Sequence, residues 1–340
     1  MKSFLSKLFG AFLGLVLLCI AAAGWWAYHN WQELNTPLES SLRYYEVPRG
    51  TSFNALLADM SEKGLNHDPL FLKVYARLDN DLTQIKAGEY AVLPQDSTWD
   101  LLQRIQRGEV AQHAITVPEG WSILQIAPAL EAAGIADAAE FIELAMNPDL
   151  PPEFGLESVT LEGFLFPDTY FFARGHGAKG VIDTMVQRFW RNLPDDYEER
   201  AQKLGLTKWE AIVLASIIEK ETGQPSERKV ISGVFHNRLR INMRLQSDPT
   251  VTYGVEGFEG RIRRRHLNAH TPYNTYRING LPPGPIASPG LDSIIAAVEP
   301  ADVPYYYFVS KNDGSHYFST TYREHNKAVD LYQRSGRSSQ

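Results

Sequence analysis

From Leu8 to Tyr28 the chain carries no charge, reading LFGAFLGLVLLCIAAAGWWAY. As a helix, a run of that length crosses about 30 Å, the thickness of a bilayer's hydrocarbon layer. Such a segment has to sit in lipid or be removed, so the rest of the chain must fold as a separate body beside it. Trp25, Trp26, Tyr28 and Trp31 gather at its C-terminal end, where amphipathic rings settle among headgroups. Lys2 and Lys7 precede the run, and the first Lys or Arg after it is Arg43. The positive-inside rule then assigns residues 1–7 to the cytoplasm, 8–28 to a transmembrane helix and the remainder to the far side. A cleaved signal peptide is the rival, since Ala21-Ala22-Ala23 supplies small residues. A lipoprotein signal fits poorly, because bulky Leu18 precedes Cys19.

Cys19 is the one cysteine, so a single chain can build no disulfide and no thiolate zinc site. His236, His266 and His270 lack paired metal spacing on one helix face, and neither a metal nor a cofactor is expected. A formal net charge of -7 argues against nucleic acid as a partner.

Two segments match at a fixed offset. Val47-Pro48-Arg49-Gly50-Thr51-Ser52-Phe53 corresponds to Val117-Pro118-Glu119-Gly120-Trp121-Ser122-Ile123, and Gly64-Leu65 and Phe71 correspond to Gly134-Ile135 and Phe141. Each copy reads as a strand (43–47 and 113–117), a tight turn, a Ser-capped helix, a Gly that ends it and a second helix. A further strand at 87–92 completes a β-α-α-β unit in the first copy. That order, with its V-P-x-G-x-S opening, resembles the LysM module, which implies peptidoglycan or chitin binding. The plainer alternative is a small scaffold that only positions a catalytic part.

Beyond Pro151-Pro152, residues 161–170 (LEGFLFPDTY) read as loop, strand and loop, and 178–203 as surface helix. Ser288-Pro289 is expected to start a helix, and Tyr305–Ser310 with His316–Thr320 to form a β-hairpin about the Asn312-Asp313-Gly314 turn. Arg261–His266 is the most basic run and reads as a solvated loop or an anion contact. Residues 335–340 read as a disordered tail.

Thr207-Lys208-Trp209-Glu210 has the form of a capping box. Ala211–Ile218 follows without a charge, and a helix apolar all round is buried all round. Glu219-Lys220-Glu221-Thr222-Gly223 ends it, with Gly223 the expected stop. Glu219 therefore falls directly after a buried run, in the last turn. Partial desolvation and the negative end of the helix dipole both favour a protonated carboxyl there, which a glycosidic leaving oxygen requires. Most glutamates at helix ends are solvated, and Glu221 is the other carboxyl of this turn.

The run Leu214–Glu221 (LASIIEKE) resembles the signature of the YceG-like family, the endolytic murein transglycosylases. So do Phe235–Leu239 (FHNRL), Met243–Thr250 (MRLQSDPT), Pro272–Tyr276 (PYNTY), Gly280–Ile286 (GLPPGPI) and Glu162–Tyr170 (EGFLFPDTY). The resemblance implies an α+β fold: an N-terminal transmembrane helix, a small LysM-like βααβ domain at 43–110, and a mixed α+β catalytic domain at 111–334. It implies a lytic transglycosylase that cleaves the MurNAc–GlcNAc bond of nascent strands, leaves 1,6-anhydroMurNAc ends and sets strand length. The first Glu of the motif, Glu219, would then be catalytic. The location implied is the inner membrane with a periplasmic catalytic part, and the partners are glycan strands and wall synthases (penicillin-binding proteins).

A lytic transglycosylase can work with one carboxyl group, because the sugar's own 6-hydroxyl replaces water. Candidates to hold the sugar are Gln246, Asp248, Tyr273, Asn274, Tyr276, Glu162 and Tyr170. Asp248 before Pro249 also reads as a turn or helix cap, Asn274 as a loop brace, and Pro282–Pro285 as a rigid cleft wall. Two other functions compete: a muramidase with Asp248 or Glu162 as its second carboxyl, and a non-catalytic wall-binding scaffold.

Overall fold

The computed structural model describes residues 2–39, 41–65, 68–78, 80–255, 260 and 262–334. The expected disordered tail and Arg261 lie outside these residues. The chain is mixed α+β with one long apolar helix at its N-terminus, α1 (Lys2–Leu34). From Lys7 to Leu34 this helix is long and apolar enough to cross a membrane, with 0% of its most apolar window buried in protein. The chain forms two compact units, residues 1–113 and 114–340.

In the first unit β1 (Tyr44–Val47) pairs antiparallel with β2 (Gly88–Ala91), setting buried Tyr45 opposite buried Tyr90. Between them lie α2 (Phe53–Glu62) and α3 (Pro69–Tyr75), and α4 (Thr98–Arg107) follows. The caps are local. Ser52 accepts from Ala55 N–H, Asp68 from Leu70 and Phe71 N–H ahead of Pro69, and Ser97 and Asp100 form a reciprocal box. Leu56, Leu57, Met60, Leu65, Leu72, Leu101 and Ile105 fill the core.

The second unit opens with β3 (His113–Thr116), α5 (Ile123–Ala132) and α6 (Ala138–Met146), and β3 pairs with β4 (Thr169–Phe172). The internal repeat is therefore a structural one. Gly50 and Gly120 share φ near +79° and +75°, and Gly64 and Gly134 share +70° and +68°, so both turns use the left-handed backbone that glycine reaches without strain. Residues 161–166 are turns rather than strand, and the strand begins only at Thr169.

Next come α7 (Ala178–Asn192), α8 (Tyr197–Lys203), α9 (Lys208–Glu221) and α10 (Arg228–Arg240). After them run α11 (Asp248–Thr252), α12 (Arg264–Asn268) and α13 (Leu291–Val298). A hairpin of β5 (Tyr307–Ser310) with β6 (His316–Ser319) and then α14 (Tyr322–Val329) close the unit. Every residue of α9 from Ala211 to Ile218 is buried. That helix packs along α13 and against α8, α10 and α11, which is why it can be apolar on all sides. The helix expected from Ser288 starts at Leu291. Ser288 is held across to the 118–121 turn instead, its C=O accepting Gly120 N–H and its N–H donating to Trp121 C=O (2.8 Å each).

Candidate active site

Thr207 and Glu210 form the expected capping box at the start of α9. Its end is decided by tertiary contact. The cap residue Thr222 is extended rather than left-handed, and its hydroxyl donates to Ile218 C=O at 2.7 Å. Gly223 lies so close to the hairpin turn that a Cβ there would sit 2.4 Å from Gly314 C=O. Gly223 is thus a close-approach glycine and not the helix stop expected of it.

This approach lays the β5–β6 hairpin over the last turn of α9 and encloses a cleft of about 400 Å3. Its walls include Glu221, Arg238, Gln246, Asp248, Tyr276, Tyr307 and His316. The volume falls in the range of ordinary ligand sites.

Glu221 is the carboxyl at the helix end of this cleft. Ser247 Oγ donates to its Oε1 at 2.6 Å. Burial raises its pKa, and the nearby Asp248 charge raises it further. The Ser247 hydrogen bond, His316 and Arg238 pull the other way. Ser247 is itself fixed by a buried hydroxyl network. Its N–H donates to Thr275 Oγ1 at 2.9 Å, and Thr250 Oγ1 donates to Ser247 C=O at 2.6 Å. Tyr276 O–H donates to Asp248 Oδ1 at 2.7 Å. Gln246 sits in the left-handed region at φ +48°, a strained setting for a residue with a Cβ and one often found at functional sites.

Arg238 and His316 complete the walls. Arg238 is buried, which depresses its pKa, and donates from Nε to Tyr306 C=O (2.6 Å) and from Nη1 to Leu245 C=O (2.5 Å). His316 Nδ1 lies 2.7 Å from Glu227 Oε2, and the same carboxylate accepts the His316 backbone N–H. Nε2 is then the ring nitrogen turned away from Glu227. The hairpin expected to be plain scaffold is therefore a wall of the cleft. A histidine two residues after the Asn-Asp-Gly turn was the available signal for this.

Glu219 is not among these walls. Its Oε2 accepts Gly290 N–H at 3.0 Å, at the N-terminus of α13, and its Oε1 lies 3.8 Å from Arg228. Glu219, the carboxyl expected to be catalytic, thus lies against Arg228 and the start of α13. Residues two apart on a helix point about 200° away from each other, so Glu219 and Glu221 cannot share one face.

Of the seven expected companions, Gln246, Asp248 and Tyr276 line the cleft, and the other four do not. Glu162 is 1% exposed, accepts from Ile123 N–H and Tyr253 O–H (3.2 Å each to Oε2), and burial pushes its pKa up to about 7. The Tyr273 ring lies 4.7 Å from that of Tyr253 in the same cluster, tilted by 50°. Tyr170 is buried, with its O–H donated to Phe166 C=O. Asn274 is a brace, its amide donating to the carbonyls of residues 266, 267 and 269 while Oδ1 accepts Tyr276 N–H. Pro285 packs on Gly163. Among the described residues no cluster of three His, Cys, Asp or Glu could hold a metal ion.

The family model of the YceG-like family matches residues 45–331. A Bacillus subtilis protein named endolytic murein transglycosylase is 30% identical over 307 residues, covering 84% of this chain and 83% of that one. A Streptococcus pneumoniae protein of the same name is 30% identical over 349 residues, covering 92% of this chain. The chain spans only 63% of that longer relative. A yceG-like protein of Listeria monocytogenes superposes with a TM-score of 0.59 at 32% identity, over 84% of this chain and 97% of that one. With the match running through both units and across every motif that builds the cleft, this chain belongs to the YceG-like family.

Proposed function

We propose that this protein is a lytic transglycosylase of peptidoglycan, tethered by α1, with Glu221 as its single acid and base. The observation that carries this reading is one desolvated carboxyl, held by Ser247, in a cleft with room for sugar rings. The names of the relatives supply the substrate. A carboxyl whose pKa is raised by burial still holds a proton where ordinary carboxylates have lost it. Glu221 donates that proton to the oxygen linking MurNAc C1 to GlcNAc as the bond breaks. The carboxylate left behind takes the proton of the MurNAc 6-hydroxyl, and O6 closes on C1 to give the 1,6-anhydro ring. The proton is returned and no water is consumed.

Glu219, catalytic in the reading that the family motif implies, in this one ties the end of α9 to the N-terminus of α13. Asp248, paired with Tyr276, supplies negative charge facing a cation-like sugar. His316, oriented by Glu227, and Arg238 present donors for sugar hydroxyls or the lactyl group. Tyr276 and Gln246 remain the sugar-holding residues of this reading. Glu162, Tyr273, Tyr170 and Asn274 shape the fold around them.

A second reading has its own observation: Asp248 shares the cleft and raises the pKa of Glu221. With Asp248 as base and water as nucleophile the enzyme would be a muramidase. Product mass separates the two. Nascent glycan digested by the full-length protein should yield anhydroMurNAc ends, and reducing ends carrying an added water would sink the transglycosylase reading.

The domain limits that go with this function are a cytoplasmic stretch at 1–7, a span at 8–28, a LysM-like unit at 43–110 and a catalytic domain at 111–334. The positive-inside rule supports a catalytic part on the periplasmic face of the inner membrane. Glycan binding by the LysM-like unit rests on its βααβ order and opening motif. Control of strand length and work beside wall synthases rest on the family resemblance alone.

A further inference from the structure

Helix α1 runs unbroken from Lys2 into the first unit, where Leu34 joins the core. Its last turns are tied to α3 by rings. Trp26 meets Phe71 edge-on at 5.6 Å, and Trp31 lies 5.9 Å from Tyr75 and 5.4 Å from Trp99. Four residues along α3 thus keep pace with five along α1, so the two helices run alongside each other in the same direction. Trp26 stands inside the apolar run and Trp31 just beyond its end.

The outer side of α3 and its following turn is apolar. Leu70, Val74 and Leu78 recur every fourth residue and are 61%, 41% and 84% exposed. Lys73 and Arg77, interleaved with them, are exposed too. Bare leucines beside basic side chains, at the level where a spanning helix leaves hydrocarbon, match the two-layer chemistry of a membrane interface.

We propose that this stripe is immersed in the polar–apolar boundary of the bilayer, so that the first unit is seated on the lipid rather than swinging free on a tether. Leu70, level with Trp26, reaches deepest. Val74 lies at headgroup depth and Leu78 at the outer edge, since each step of four residues rises about 6 Å. The occupant is lipid: acyl-chain ends for the leucines and headgroup phosphates for Lys73 and Arg77. The seat would hold the first unit at the membrane surface. This inference rests on the reading of α1 as a membrane span.

The test is fluorescence of the full-length protein, one copy per phospholipid nanodisc, with Cys19→Ala and a polarity-sensitive dye on one introduced cysteine. The positions are Leu70→Cys, Val74→Cys, Leu78→Cys and, within the span, Leu15→Cys. Lipids spin-labelled at shallow and deep positions act as quenchers. The expected result is strong quenching at 15 by the deep label and graded quenching at 70, 74 and 78 by the shallow one, at least twofold stronger at 70 than at 78. Quenching at 15 with none at 70 or 74 overturns the seat while leaving the span intact. A blue-shifted dye at 70 and 74 that lipid labels cannot quench assigns the stripe to a protein partner and also overturns it. Loss of quenching at 15 removes the span reading and the seat together.

Discussion

Ser247 Oγ donates to Glu221 Oε1 across 2.6 Å, joining the loop before α11 to the last turn of the buried helix α9. The bond holds the carboxyl toward the cleft while the hydroxyl network behind Ser247 keeps it from turning.

Glu221→Gln keeps the shape of the side chain and removes its proton chemistry. The release of anhydroMurNAc ends should fall by about a thousandfold, the scale of general acid–base catalysis, with the melting temperature little changed. Glu219→Gln should cost far less in rate, because an amide oxygen can still accept Gly290 N–H. Equal rates for Glu221→Gln and the unaltered protein would remove Glu221 from the mechanism.

The pH profile follows from the raised pKa of Glu221. The reacting form is the protonated one, so kcat/KM should decline as pH rises through that elevated pKa, leaving an alkaline limb above the ordinary carboxylate range. Asp248→Asn removes a repelling charge that keeps the proton on Glu221, so the limb should move to lower pH. A limb unmoved in Asp248→Asn would show that the two groups do not interact.

Glu227 does not line the cleft, yet it fixes the ring of His316, which does. Glu227→Ala should lower kcat about tenfold, the worth of one charge-assisted hydrogen bond, with KM changed much less. Glu227→Gln, which can still accept from His316, should recover part of the loss. Steady-state kinetics on purified glycan strands would decide it.

Glu162 gives a stability test away from the chemistry. Its folded pKa is raised from 4.5 to about 7, so ionisation is resisted by the fold. Between those values the unfolded chain has lost this proton and the folded chain has kept it. Stability therefore falls as pH rises through that window, by about 3 kcal/mol, and levels off above it. Glu162→Gln cannot ionise, so its melting temperature relative to the unaltered protein should climb by several degrees from pH 4.5 to pH 8. A constant difference would mean that Glu162 does not titrate there.

Gly223→Ala places a methyl group 2.4 Å from Gly314 C=O. Hairpin and helix end must separate, at a cost of about 1–3 kcal/mol in denaturant unfolding. Activity should fall as well, because the same contact encloses the cleft.

Elements whose signals are local were legible in the residues alone. The apolar run, the serine and threonine caps, the paired turn glycines of the repeat and the capped, uncharged helix α9 all depend on neighbours within a few residues. Which carboxyl meets the cleft between hairpin and helix end depends instead on long-range packing. A helix apolar on every side carries no amphipathic phase, so its sequence cannot say toward which side the next turn opens, and 200° separates Glu219 from Glu221. The partners that make the choice come from far along the chain: Ser247, Asp248 and Tyr276 from the segment after α10, His316 from the hairpin, and Gly290 to hold Glu219 aside. Contacts of that separation leave no periodic trace in the residues that make them, and the burial of Glu162 and Tyr170 was hidden for the same reason.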